Sequence, residues 1–313
     1  MADLAPLRES GAGVVCMVAK SDVRHVERAL RTTREENLAM IRDSVRHLRA
    51  EGQRVFLDAE HFFDGYVADA SYALEVLRTA AEAGADVVVL CDTNGGMLPH
   101  RLAEIVDDVV GTGLRVGIHA HNDAACAVAN SLAAVHAGAT HVQGTANGYG
   151  ERCGNADLFS IVAALESKEG RDVLPVGRLV ELGRVAHAVA EVANIAPDPH
   201  QPWVGASAFA HKAGLHVSAI KADPDLYQHT DPAFVGNDMR LLVSELAGRA
   251  TMVKSGSHFL RVRSHQLTTA NTAKQSKSTV RLTKTNEDAH PNSCYQAAAD
   301  FNGRTVEVLL TGI

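Results

Sequence analysis

From residue 14 to about residue 168 the chain alternates short runs rich in β-branched residues with stretches whose apolar positions recur at helical spacing. That alternation predicts a parallel sheet built from β-α units. The runs at 14–18, 54–58, 86–90, 115–119 and 141–145 read as strands. Between the first two, Val26, Leu30, Leu38, Ile41, Val45 and Leu48 keep helical register, with Ser21 or Asp22 as N-cap and Gly52 as the stop. One long crossover helix is predicted there, with a break point near Thr32-Thr33. An internal echo supports the repeat: Glu82-Ala-Gly-Ala-Asp-Val-Val-Val and His136-Ala-Gly-Ala-Thr-His-Val-Gln both run helix, glycine stop, strand.

A closed barrel of this kind has eight strands, and five are recognisable. The expected fold is therefore α/β, a partial (β/α)8 TIM barrel of about five of the eight units, over residues 1–170. Residues 171–253 read as a linker and small helical subdomain, with a helix at 178–192, a Pro-rich junction at 196–203 and helical segments through 207–248. From residue 254 to 313 Ser, Thr, Lys, Asn and Gln dominate without periodicity up to a short apolar run at 305–310, the signature of an irregular tail.

Polar residues cluster just past successive strands, where a β/α barrel does its chemistry: Lys20-Ser21-Asp22, Asp58-Ala59-Glu60-His61, Asp92-Thr93-Asn94-Gly95, His119 to Asp123, and Thr145 to Asn155. In Gly117-Ile118-His119-Ala120-His121-Asn122-Asp123 the two histidines are two apart on a strand, so both imidazoles face one side and can share a divalent ion. Asn155, in Asn147-Gly148-Tyr149-Gly150-Glu151-Arg152-Cys153-Gly154-Asn155, reads from its position alone as the cap of a helix beginning near Ala156.

Composition narrows the partners. Net charge is −7 and there is no dense basic stripe with interleaved aromatics, which argues against nucleic acid. Five cysteines at irregular spacing with no CxxC pair argue for reduced thiols and a cytoplasmic location. No run of 18 apolar residues and no basic-then-apolar leader is present, so no membrane association is expected.

At the HxHND and NGxGERxGN motifs the chain resembles the metal-containing TIM-barrel synthases that condense an acyl-CoA with an α-keto acid. These are the isopropylmalate, homocitrate and citramalate synthases, with HMG-CoA lyase as a cousin. Val18-Ala-Lys-Ser21, Arg31-Thr-Thr, Arg54-Val-Phe-Leu-Asp-Ala-Glu-His-Phe-Phe-Asp-Gly65 and Leu90-Cys-Asp-Thr-Asn-Gly-Gly-Met97 look most like the citramalate synthase branch. The resemblance runs over roughly residues 11 to 252. It implies condensation of acetyl-CoA with pyruvate to citramalate and CoA, a step toward isoleucine. It also implies a divalent metal (Mg²⁺, Mn²⁺ or Zn²⁺) and a homodimer. The alternatives are a 2-isopropylmalate or homocitrate synthase with another keto acid, or a catalytically silent fragment.

Carried over residue by residue, the resemblance makes His119, His121 and Asn155 metal ligands, and Thr93 a contact for the keto-acid carboxylate. Glu60 becomes an active-site glutamate, His216 the histidine implicated in deprotonating acetyl-CoA, and Tyr227 a catalytic tyrosine. The family's first strand carries an Arg-Asp pair, a metal ligand and a catalyst, that is not found here; the chain is expected to be truncated at its N-terminus. Other readings of the same residues remain. Glu60 could form a barrel-mouth salt bridge with Lys20, Thr93 could serve turn chemistry, and Glu151-Arg152 is preferred as a structural ion pair.

Overall fold

A computed structural model describes residues 4–212, 214–242, 295–301 and 304–310. The chain divides into two compact units, Met1–Ile161 and Val162–Ile313.

The first unit opens with helix α1 (Ala5–Glu9) and strand β1 (Val14–Lys20), followed by α2 (Val23–Arg28), α3 (Arg34–Ala50) and β2 (Arg54–Glu60). Next come α4 (Phe62–Ala68), α5 (Ala70–Ala83), β3 (Val87–Asp92), α6 (Pro99–Val110), β4 (Val116–Ala120), α7 (Ala127–His136) and β5 (His141–Gln143). The five strands form one sheet in the order β1-β2-β3-β4-β5, every neighbouring pair parallel. Sequential order with helical crossovers is the barrel arrangement the pattern predicts.

The crossover between the first two strands, read as one long helix with a break point near Thr32-Thr33, is two helices divided there. Thr33 breaks it by accepting from the Glu36 backbone N–H at 3.1 Å, so it N-caps α3 while Asp22 caps α2. β1 and β2 each run two residues beyond the predicted ends, which puts Lys20 and Glu60 on the last paired position of adjacent strands. β5 stops earlier, at Gln143, because Thr145 leaves the sheet to bridge Asp157.

Alternation along each strand separates two faces. Val55, Leu57 and Ala59, Val88 and Leu90, and Val116 and Ile118 point outward into a buried apolar layer shared with Leu77 of α5 and Leu102 and Ile105 of α6. The opposite positions point inward. Phe56, Val87, Val89 and Cys91 make a small apolar floor, and the Phe56 ring meets His141 edge-on at 4.9 Å. Above it stand Cys16, Asp58, His119 and Gln143. The end strands β1 and β5 are not paired with each other, yet Gln143 Nε2 approaches Cys16 Sγ at 3.4 Å. The sheet is thus curled far enough for its two edges to meet across the interior, as opposite sides of a barrel do.

In the second unit, α8 (Leu158–Glu169), which spans the boundary, is followed by α9 (Leu182–Ala193) and a two-strand parallel pair, β6 (Ala210–His211) with β7 (Arg240–Leu241). Between these lie α10 (Gly214–Ala222) and two 3₁₀ turns. Strands β8 (Tyr295–Phe301) and β9 (Arg304–Leu310) pair antiparallel, while the rest of the 254–313 segment lies outside the described residues. No helix among the described residues is long and apolar enough to cross a membrane.

Candidate metal centre

His119 ends the inward face of β4 and His121 follows it two residues on. Their Nε2 atoms are 3.3 Å apart. Two imidazole nitrogens each about 2.0–2.1 Å from a shared ion are separated by roughly 3 Å, so the spacing suits a common metal. His121 has no partner for Nδ1. Burial comes first, with His119 and Arg152 adding to it, in depressing this imidazole to about 4, so it is neutral and ligand-ready near pH 7.

Asn155 is brought alongside by backbone stitching of the two motifs. Asn122 N–H donates to Gly154 O at 2.9 Å, Ala156 N–H to Ala120 O at 3.0 Å, and His121 bridges Asn155. The Asn155 amide donates to Tyr149 O at 3.1 Å, which leaves its Oδ1 buried with no partner. An orphaned carbonyl oxygen is costly unless something completes it, and a cation is a suitable occupant. The capping alternative is excluded: α8 begins at Leu158 and Asp157 does the capping, accepting from Phe159 N–H at 3.1 Å. Gly150, at φ +158°, has no room for a side chain because a Cβ there would collide with the Asn155 amide.

Among the described residues no group of three or more His, Cys, Asp and Glu side chains is arranged to hold a metal. What the chain offers is two imidazoles and an amide oxygen, a set that fits a borderline divalent ion and leaves positions for other oxygen ligands. The other polar members of the motifs are structural. Asn122 Oδ1 caps α7 through Ala127 N–H at 3.1 Å. Arg152 clamps both oxygens of Asp123 at 2.9 Å and also donates to Thr93 O at 2.7 Å. The expected Glu151-Arg152 pair is 3.8 Å apart with Glu151 largely exposed, so the structural role of Arg152 holds but its partner is Asp123.

Glu60 pairs with Lys20 across the ends of β2 and β1, the salt bridge that one reading of the sequence anticipated. Next to it His61 takes a left-handed backbone, φ 59°, and stacks on His25 with ring centroids 3.8 Å apart. Thr93 Oγ1 accepts from His61 N–H at 2.8 Å, tying the mouths of β3 and β2 together. In the second unit His216 stacks on Tyr227 at 4.2 Å, so two of the anticipated residues are neighbours there. His211 lies close enough for burial and then His216 to lower its imidazole.

Beneath the histidines stand three inward residues to which the sequence reading gave no role, Asp58 having been placed only in the polar cluster past β2. Asp58 Oδ1 accepts from Cys16 Sγ at 3.0 Å and from Gln143 Nε2 at 2.9 Å, and Gln143 Oε1 reaches His119 Nδ1 at 3.0 Å. Burial raises the Asp58 carboxyl, against the lowering effect of Cys16, His119 and Gln143. The period-two spacing of Asp58 with Glu60 was a usable signal for its face; nothing in the sequence marked Gln143.

A family model described as HMGL-like matches residues 2–189, and one described as homocitrate synthase post-HMGL domain-like matches residues 203–291. The chain is 66% identical over 251 residues to an (R)-citramalate synthase of Streptomyces coelicolor, covering 80% of this chain and 47% of that one. It is 48% identical over 265 residues to the Synechocystis (R)-citramalate synthase, covering 82% and 48%. The HMG-CoA lyase of Bacillus subtilis superposes with a TM-score of 0.53 at 20% identity over 62% of this chain and 68% of that one, a likeness of fold. The chain spans about half the length of the curated relatives it matches. Enzymes of this family are in general metal-dependent. With the curled parallel sheet, the paired histidines and a family match over more than half its residues, the chain belongs to the HMGL-like family.

Proposed function

We propose that the chain carries the metal-binding part of an (R)-citramalate synthase, condensing acetyl-CoA with pyruvate to give citramalate and CoA. The observation behind this reading is the convergence of His119, His121 and the orphaned Asn155 Oδ1 in a chain that resembles (R)-citramalate synthases over four-fifths of its length. A bound Mg²⁺, Mn²⁺ or Zn²⁺ supplies Lewis acidity and a template for the keto and carboxylate oxygens of pyruvate. His119, His121 and Asn155 hold that ion, and Thr93 orients the substrate carboxylate. His216, stacked on Tyr227, takes a proton from the methyl group of acetyl-CoA; the resulting carbon attacks the pyruvate keto carbon, which becomes the citramalate hydroxyl carbon after protonation of its oxygen. Glu60, fixed by Lys20, orients the water that then cleaves the thioester and releases CoA. The reading includes a cytoplasmic homodimer.

The test is CoA thiol release from acetyl-CoA with Mn²⁺ or Mg²⁺, comparing pyruvate, 2-oxoisovalerate and 2-oxoglutarate, with His121→Ala as control. Release that prefers pyruvate and is lost in the control supports the proposal; preference for another keto acid overturns it. If no keto acid gives release, their relative binding to the Mn²⁺-loaded chain, read by water-proton relaxation, decides the same question.

A further inference from the structure

The polar layer below the histidine pair has a defined direction. Gln143 Nε2 donates to Asp58 Oδ1 at 2.9 Å, with Cys16 Sγ 3.4 Å away, and Gln143 Oε1 faces His119 Nδ1 at 3.0 Å. Turning the amide over would set its oxygen against the Asp58 oxygen, two acceptors in contact. The same Asp58 Oδ1 takes the Cys16 thiol at 3.0 Å. It is therefore an acceptor from two sides, and any proton on this carboxyl belongs on Oδ2. Asp58 thus decides which end of the Gln143 amide meets the imidazole. A carbonyl oxygen only accepts, so His119 Nδ1 carries hydrogen and its Nε2 carries a lone pair. His121 has no such guide, since its buried Nδ1 has no partner.

We propose that Gln143, aimed by Asp58, is a positioning residue that holds His119 as its Nδ1–H tautomer, so that Nε2 presents a lone pair to the ion shared with His121. The inference rests on the metal-ligand reading above only for its consequence; the tautomer itself is a property of the metal-free chain. There, His121 Nε2–H donates across the 3.3 Å gap to His119 Nε2. Taking up a divalent ion leaves His119 unchanged and makes His121 move its hydrogen to Nδ1. The two ligands are unequal: one is set in advance and the other rearranges.

Long-range ¹⁵N–¹H NMR of the histidine rings in the metal-free full chain reads this directly. Wild type should show His119 with protonated Nδ1 and an unprotonated, pyridine-like Nε2. Gln143→Leu should let both His119 tautomers populate and weaken Mn²⁺ binding about 10- to 100-fold, the usual effect of losing a ligand's outer partner. Asp58→Leu should shift the tautomer in the same direction, whereas Asp58→Asn, which keeps an acceptor oxygen, should restore it. A wild-type His119 protonated on Nε2 overturns the proposal even if no variant folds. So does a Gln143→Leu chain with the wild-type ring signature. If wild type binds no Mn²⁺ but shows the Nδ1–H ring, the metal reading fails while the positioning role stands.

Discussion

The outward and inward faces of the same strands are built on opposite rules. On β2, Val55, Leu57 and Ala59 turn outward and are wholly buried among helices, while Phe56, Asp58 and Glu60 turn inward and become progressively more polar toward the mouth. β4 repeats this with Val116 and Ile118 outside and His119 inside. Outward positions draw their energy from apolar area removed from water, which is tolerant of detail so long as volume is kept. Inward positions carry hydrogen bonds whose value depends on which atom faces which, and that is what chemistry needs. Period two lets one backbone serve both without either interfering with the other.

The sharpest way to break this division is to show that the outer layer tunes the site. Leu90→Ala removes a fully buried side chain from the centre of β3 and should cost about 2–5 kcal/mol in denaturant unfolding. Mn²⁺ affinity of the folded fraction should not move. A large affinity change at Leu90 would mean that the two faces are mechanically coupled. The converse variant, His121→Ala, should reduce Mn²⁺ affinity by more than about a hundredfold, beyond the cost of losing an outer partner. Its stability should stay within about 1 kcal/mol of wild type, because no protein group relies on His121 Nδ1.

This division also explains what could be read from sequence. The outer layer announces itself: β3 is a continuous apolar run up to its last residue, Val87-Val-Val-Leu-Cys before Asp92, because a central parallel strand is covered on both sides. His119 and His121 were legible as a candidate pair because two histidines at i, i+2 form a local pattern. Asn155 was legible only through its motif, since its distance from His121 depends on backbone bonds between segments thirty residues apart. Gln143 was illegible. Its role comes from the curl that carries β5 over to Cys16 on β1, and no local pattern encodes a contact across 127 residues. The break at Thr33 was half visible, because helical periodicity on either side masked a capping residue that only geometry distinguishes from a helical threonine.

A smaller test concerns how Asn155 is held. Gly150→Ala adds a Cβ where the Asn155 amide lies, at a φ that side chains rarely adopt. Mn²⁺ affinity should fall about tenfold, in the range of outer-partner changes, with a modest loss of stability from backbone strain. An unchanged Mn²⁺ affinity alongside lost stability would assign Asn155 to the loop rather than to the ion.

The smallest effect is in pH, where two residues of the inner face oppose each other. His121 is lowered in the fold from 6.5 to about 4, so between those values the unfolded chain holds a proton that the folded chain does not. Its contribution to stability is present above about pH 6.5 and is lost as pH falls through that window. His61 and His141, both lowered mainly by burial, act with the same sign. Asp58 is raised, so the folded chain holds a proton the unfolded chain has released; its contribution is present below the ordinary carboxylate value of 3.8 and is lost as pH rises through its folded one. Denaturant midpoints measured on the metal-free chain across mildly acidic pH separate the two. His121→Ala should flatten the loss of stability on acidification, and Asp58→Asn, which removes the opposing group while keeping an acceptor for Gln143, should steepen it. If both variants flatten the slope, Asp58 is held below its ordinary value in the fold, and the Cys16 and Gln143 hydrogen bonds outweigh the cost of burying its charge; an unchanged slope in Asp58→Asn means that the two effects cancel.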